Sequence, residues 1–349
     1  MASPSEEKPA LISRRQALRS AGKALAGAVG LAAIPSLPTD AQSAAQQIEA
    51  LPKQPGELPQ REIPSAGEKL RIASCQFPVS ADVAANAKYI QGFMHDAASE
   101  GAHLLHTSEA CLTGYGGQDL PNFDKFDWVG LRKETSNLRS LAQELKIYLV
   151  LGSAHFLDEK TRPTNCVYLI APDGTIADRY DKSFLTKHDQ LAYTAGNRRV
   201  TCEIRGVKLG LAICYDICWP QLYIAYRELG VMVMLHSMYN AHDKGPTRLD
   251  TLNTYEVPTR CTDNRVWAVC NNSSRPYSHW GSFVARPDAT IPKQLPINEP
   301  GMLTYDFPDT QPQGEYYFNL RPMGLRDDEI MSWGMVSQHP RRLDGRSEP

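Results

Sequence analysis

The stretch 210–221, GLAICYDICWPQ, carries two cysteines, Cys214 and Cys218, after an apolar run that reads as a β-strand. A strand that ends in a cysteine and turns into a helix sets the sulfur at a sharp bend beside free backbone N–H groups, which suits a nucleophile. The Tyr215 amide could then donate to an oxyanion. Cys218, one turn onward, is expected to be a small buried packing residue. A thiol also needs activation, and two other strand ends supply it. HLLHTSEACLTGY carries Glu109 just past an apolar strand, and DRYDKSFLTKHD carries Lys182 after a hairpin. A carboxylate can take the thiol proton, and an ammonium lowers the thiol pKa and later neutralises a tetrahedral oxyanion. No histidine is required. His188 lies far upstream, and His236, at the end of VMVMLH, reads as a satisfied strand-end residue. It is nevertheless the best partner available for a Cys-His thiol protease.

These residues need elements to hold them. LRIASCQF reads as a strand, 82–100 as a helix, AHLLHTSE as a strand and 130–146 as a helix, with Leu131, Leu138, Leu141 and Leu145 near helical spacing. IYLVLGSAHF and NCVYLIAPDGTIADRYD follow without an intervening helix, and Pro172-Asp173-Gly174 marks a hairpin turn. GVKLGLAIC alternates Val207, Leu209, Leu211 and Ile213 with smaller or polar residues, the pattern of a half-buried strand. A helix over 219–230, the buried strand VMVMLH, a helix near 247–263, WAVCNN, GSFVARPDATI and MLTYDF complete the chain. Helix-separated strands mixed with hairpins predict an α/β fold with mixed sheets covered by helices. No internal repeat is visible.

The Glu, Lys and Cys stretches resemble, in order and spacing, the motifs of the nitrilase superfamily, the carbon-nitrogen hydrolases. The resemblance runs over residues 70–306 and includes NRVWAVCNN, GSFVARPDATI and GMLTYDFPD. It implies a four-layer α-β-β-α sandwich with two mixed β-sheets, commonly paired into a homodimer or higher homo-oligomer. It also implies catalytic Glu109, Lys182 and Cys214, with the Tyr215 amide at the oxyanion and no metal or organic cofactor. The expected reaction is hydrolysis of a non-peptide C-N bond in a small amide or N-carbamoyl substrate through a cysteinyl thioester. Many members carry a second glutamate between the Lys and Cys motifs. Here KHDQLAYTAG offers the shorter Asp189, a candidate supporting acid for Lys182 or the substrate, or else a solvated loop residue. CYD looks like the amidase and carbamoylase branches, whereas true nitrilases usually have Cys-Trp-Glu. Ile217 and Cys218 stand where carbamoyl-amino-acid hydrolases place two arginines. Tyr115, Trp219, Tyr239 and Trp280 are candidates for an aromatic pocket and equally for core or interface positions. A nitrilase, a thioester acyltransferase and a catalytically silent binding protein on the same fold are the alternatives.

The bulk composition fits. The chain has 349 residues, 42% hydrophobic and 22% charged, enough for a substantial core. With 37 basic and 39 acidic residues the net charge is -2, so there is no global electrostatic attraction to nucleic acid or anionic membranes, and small molecules or protein are the expected partners. Eight cysteines without C-x-x-C spacing argue against a zinc site or a disulfide framework. Residues 1–45 resemble a twin-arginine signal peptide: Arg14 and Arg15 precede the apolar run Ala24–Ile34, followed by small residues at Ala41, Ser43, Ala44 and Ala45. That run is shorter than the roughly 20 residues a membrane span needs. The expectation is passage through the twin-arginine export machinery to the periplasm, with no stable membrane insertion once the signal is removed. Residues 46–69, rich in Pro and Gln, read as a linker and 307–349 as a C-terminal extension.

Overall fold

The computed structural model describes residues 69–241 and 252–308, together with two short paired strands further on. The expected signal peptide, and the linker as far as residue 68, lie outside the described residues, as does most of the C-terminal extension.

The first half of the fold runs β1 (Leu70–Gln76), α1 (Val83–Ser99), β2 (Leu104–His106), α2 (Trp128–Leu145), β3 (Tyr148–His155), β4 (Thr164–Ile170) and β5 (Ile176–Asp181). A four-residue helix α3 (Asp189–Ala192) and β6 (Thr201–Ile204) lead to the second half. That half holds β7 (Val207–Ile213), a 3-10 turn (Cys214–Cys218), α4 (Pro220–Glu228), β8 (Val233–Ser237), α5 (Leu252–Asn264), β9 (Trp267–Asn271), β10 (Phe283–Ala285) and β11 (Lys293–Gln294). Strand β12 (Gly301–Phe307) returns to pair with β1, and β13 (Leu325–Arg326) pairs with β14 (Glu329–Ile330).

Two six-stranded sheets result, in the orders β12-β1-β2-β3-β4-β5 and β6-β7-β8-β9-β10-β11. Read in those directions, both follow the same succession of pairings: antiparallel, parallel, parallel, antiparallel, antiparallel. The backbone therefore repeats a unit that side-chain similarity does not reveal.

Alternation along the strands builds the layers. Leu70, Ile72, Leu104, Val150 and Val167 of the first sheet meet Val207, Leu209, Leu211, Val233 and Val269 of the second in one inter-sheet core. On the outer face of the first sheet, Ala73 and Cys75 pack under α1 and α2, which present Ile90, Met94, Ala97, Leu138 and Ala142. On the outer face of the second, Ala212, Met234 and Ala268 pack under Tyr223 and Tyr226 of α4 and Val257 and Cys261 of α5. This is the expected α-β-β-α sandwich. The helices start where their sequences allow it. The Asp82 carboxylate accepts from the Ala84 and Ala85 N–H groups at 2.9 and 3.0 Å, and Asp127 accepts from Gly130 N–H at 2.9 Å.

Strand β7 departs from its half-buried expectation. Its small positions are covered as well, because α4 lies directly on them: a Cβ on Gly210 would come within 2.9 Å of the Tyr226 ring and the Met234 sulfur. Small residues there mark close helix-sheet packing, not a wet face. Gly152 of β3 is tighter still, since a Cβ there would fall 1.9 Å from the Ser108 carbonyl oxygen, in the loop that carries Glu109. Gly152→Ala must therefore push that loop outward. It is expected to cost roughly 1–3 kcal/mol in a urea melt and to lower turnover beyond what the remaining folded fraction explains.

Candidate active site

The chain leaves the first sheet after His106. The Thr107 N–H and hydroxyl both donate to the Val150 carbonyl, at 3.0 and 2.9 Å, and Thr107 Oγ1 accepts from Gly152 N–H at 3.0 Å. Glu109 follows, its N–H on the Met238 carbonyl at 3.3 Å, and Ala110 turns the chain with φ of 50°. The carboxylate is fully buried. Its Oε1 accepts from Asn165 Nδ2 and from Lys182 Nζ, both at 2.7 Å, while Oε2 has no hydrogen-bond partner among the described residues.

Lys182 emerges at the end of β5, held by its own N–H on the Asn165 carbonyl at 2.8 Å. Its ammonium donates to Glu109 and, at 2.8 Å, to Asp189 Oδ2, and it lies 5.8 Å from the centre of the Tyr115 ring. An isolated buried ammonium would be prohibitively costly, so these partners are what allow it to sit there. Burial pushes the lysine pKa down, but the facing Glu109, Tyr115, Cys214 and Asp189 more than offset that and hold it well above the usual range.

The two acids differ. Burial raises the pKa of Asp189, but Lys182, the Tyr115 hydroxyl and the Thr186 N–H, which donates at 2.9 Å, together bring it below the ordinary value. Glu109 is raised, chiefly by burial, with Lys182 opposing. One ammonium shared by two carboxylates thus leaves Asp189 as the fixed anion and Glu109 as the group able to carry a proton. Asp189 is not a solvated loop residue. The loop from Thr186 brings its short side chain close enough to do the binding that the sequence reading left open.

Cys214 opens the 3-10 turn in a left-handed conformation, φ 42°, that a non-glycine residue adopts only when its surroundings enforce it. Asp216 does the enforcing. Its buried carboxylate accepts from Ile213 N–H at 2.9 Å, Tyr180 hydroxyl at 2.7 Å and Phe184 N–H at 2.9 Å, so it ties the bend to the segment just past Lys182. The stacked rings of Phe184 and Trp219, 4.0 Å apart, reinforce the same junction. His236 meets the carbonyl of Cys214 and not its sulfur: Nε2 lies 3.1 Å from that oxygen, and Nδ1 lies 2.8 Å from the Tyr223 hydroxyl. Burial lowers its pKa to about 3, so the ring is neutral, donating through Nε2–H and accepting at Nδ1. The geometry excludes a Cys-His pair here. The Cys214 thiol is pushed up by burial and by Glu109, with Lys182 opposing.

Among the pocket candidates, Tyr115 and Tyr239 adjoin the ion cluster, their rings 5.1 Å apart, and the Tyr239 hydroxyl donates to Asp119 Oδ1 at 2.9 Å. Trp219 lines the elbow, with Tyr215 edge-on to it at 5.0 Å. Trp280 is a core residue: its ring is buried against Phe283, in the cluster beneath α4 and α5 that Cys214 borders. Cys218 is exposed, contrary to the expected packing role, because the 3-10 turn faces it outward. Sequence reasoning missed Asn165 and Asp216. Asn165 gives no signal inside an apolar strand, whereas the acid two residues beyond Cys214 was visible but was read only as a branch marker.

Asp216 also carries a pH signature. Burial raises its pKa to about 6, so the folded state holds that proton more tightly than the unfolded chain. Stability therefore declines as pH rises from the ordinary aspartate range toward 6. Asp216→Asn, which sets an N–H against one of the donors, is expected to lower stability at neutral pH by roughly 1–3 kcal/mol. It should also flatten this pH dependence in urea melts. His236→Ala should reduce turnover yet leave it measurable.

The family profile described as carbon-nitrogen hydrolase matches residues 71–311. The omega-amidase NIT2 of Homo sapiens is 25% identical over 232 residues, 62% of this chain and 81% of that protein. An (R)-stereoselective amidase of Pseudomonas sp is 31% identical over 173 residues, 48% of this chain and 58% of the relative. The amidase from Nesterenkonia sp. AN1 in complex with butyramide shares the fold, with a TM-score of 0.61 at 23% identity, over 68% of this chain and 91% of that one. The chain belongs to the carbon-nitrogen hydrolase family of the nitrilase superfamily and is an amidase-like C-N hydrolase.

Proposed function

We propose that Glu109, Lys182 and Cys214 are the catalytic residues and that the substrate is a small amide or N-carbamoyl compound. The observation that carries this reading is the buried Oε2 of Glu109, without a hydrogen-bond partner among the described residues, in a cluster where Lys182 also binds the fixed anion Asp189. Glu109 takes the Cys214 proton as sulfur attacks the carbonyl carbon. Lys182 and the Tyr215 N–H stabilise the resulting oxyanion. As the tetrahedral species collapses, the C-N bond breaks and Glu109 returns its proton to the departing nitrogen. Glu109 then draws a proton from water as that water attacks the thioester. The C-S bond breaks, the acid leaves and sulfur regains its proton. Asp189 keeps Lys182 charged and in place.

The amidase names of the curated relatives and the CYD motif support an amide over a nitrile substrate. Tyr115, Trp219 and Tyr239 line the acyl side of the pocket in this reading. The family resemblance supports assembly into a homodimer or a higher homo-oligomer. The paired arginines of the leader support twin-arginine export to the periplasm, with the mature enzyme free of the membrane.

An ammonia-release screen over aliphatic, aromatic and carbamoyl amides and nitriles, blanked with Cys214→Ala, tests the chemistry. Glu109→Gln and Lys182→Ala should each lose at least roughly a hundredfold in kcat; full turnover in either would refute the assignment. The kcat/KM profile should fall on the acid side at a pH above the ordinary carboxylate range, as Glu109 is protonated. No alkaline limb should fall in the usual lysine range, because Lys182 stays charged beyond it. Replacing Arg14 and Arg15 with lysine should leave the protein cytoplasmic on cell fractionation; unchanged periplasmic yield would remove the export reading.

A further inference from the structure

The donors around the sulfur do not add up if Lys182 serves it alone. An ammonium has three N–H bonds, and two of those on Lys182 go to Glu109 and Asp189. The third is needed for the oxyanion. The titratable groups facing Cys214 Sγ are Glu109, Lys182, Asp189 and Tyr115; once Glu109 has taken the thiol proton, Asp189 balances Lys182 and no net positive charge is left to hold the thiolate. His236 is turned to the backbone carbonyl. Something else must favour the thiolate.

The segment that follows β8 supplies it. The Tyr239 backbone amide opposes the rise in the Cys214 thiol pKa, and Asn240 Nδ2 lies within hydrogen-bond reach of Sγ, at 3.4 Å. This carboxamide sits on a braced backbone. The Asn240 N–H donates to Asn272 Oδ1 at 2.6 Å, and its carbonyl accepts from Asn272 Nδ2 at 3.1 Å. Asn272 is fixed in turn, donating from Nδ2 to the Trp280 carbonyl at 2.8 Å and from its N–H to Ser282 Oγ at 3.0 Å. Two residues before Asn240, the Met238 carbonyl receives the Glu109 N–H. One short segment thus touches both the base and the nucleophile.

We propose that Asn240 is a further catalytic residue, donating its side-chain N–H to Cys214 Sγ and holding charge on sulfur whenever Glu109 has its proton, with Asn272 as its positioning residue. The inference rests on the catalytic reading of Cys214 given above. It divides the labour: Lys182 serves the oxygen, while Asn240 serves the sulfur, both before attack and when the thioester is cleaved and sulfur departs.

Alkylation of Cys214 by iodoacetamide, followed against pH and mapped by peptide mass so that the exposed Cys218 is counted apart, tests it without any substrate. Asn240→Ala should slow alkylation of Cys214 roughly tenfold at neutral pH and move the profile to higher pH, as expected for losing one hydrogen bond to a charged atom. The near-isosteric Asn240→Asp should slow it further, since a carboxylate repels the thiolate, and it keeps the test open if the alanine variant fails to fold. With substrate, kcat should fall by a similar factor while KM changes less than about twofold. An unchanged profile in both variants, or a shift to lower pH, would overturn the proposal; the latter would mean that the carboxamide oxygen accepts the S–H. Should Cys214→Ala retain turnover, the catalytic reading fails on its own, while the alkylation data still decide whether Asn240 supports the thiolate.

Discussion

The whole site depends on keeping one ammonium charged where no water reaches it. Lys182 is fully buried and would shed its proton there without Glu109 and Asp189 on either side. Those two acids, forced together, would in turn repel each other without the lysine. Their partners settle which one stays ionised. Asp189 takes the Tyr115 hydroxyl and a backbone N–H, whereas Glu109 takes only the Asn165 amide and is left with an idle oxygen. The asymmetry of the hydrogen bonds, more than the identity of the side chains, makes one carboxylate a fully held anchor and leaves the other with an open oxygen.

The sandwich delivers these groups because strand ends from both sheets open toward the same place. Glu109 follows β2, Lys182 follows β5, Cys214 follows β7 and Asn240 follows β8. In the repeated pairing pattern, β2 and β8 hold equivalent positions, so the loops bearing Glu109 and Asn240 are counterparts from the two halves. Their contact through the Glu109 N–H and the Met238 carbonyl joins the halves beside the buried ion cluster. A packed interior of Leu, Ile and Val between the sheets holds the relative position of all four strand ends.

Much of this was legible in the chain. The helices at 83–99 and 128–145 fell within two residues of their periodic patterns, and Pro172-Asp173-Gly174 does join two antiparallel strands. Glu109 and Cys214 stood out because each follows an apolar strand, where a reactive side chain can leave the core, and Lys182 because it follows the hairpin of β4 and β5. The misses have physical reasons. Gly210 and Ala212 looked like a wet face because small residues mark close packing as readily as exposure. Trp280 looked like a pocket ring because nothing in its neighbourhood announces that α4 and α5 cover it. Asn165 was silent because its partner lies 56 positions away in the chain. The twofold pairing pattern lives in the backbone, and backbones leave little trace in residue identity.

Asp216 has a consequence for the newly made chain. It grips the bend at Cys214 and the stretch beyond Lys182 with the same carboxylate, so neither adopts its working shape before the other arrives. One carboxylate therefore couples a strand end of each sheet to the other. The full arrangement of bend, lysine and acids thus exists only when the two halves of the chain are packed together.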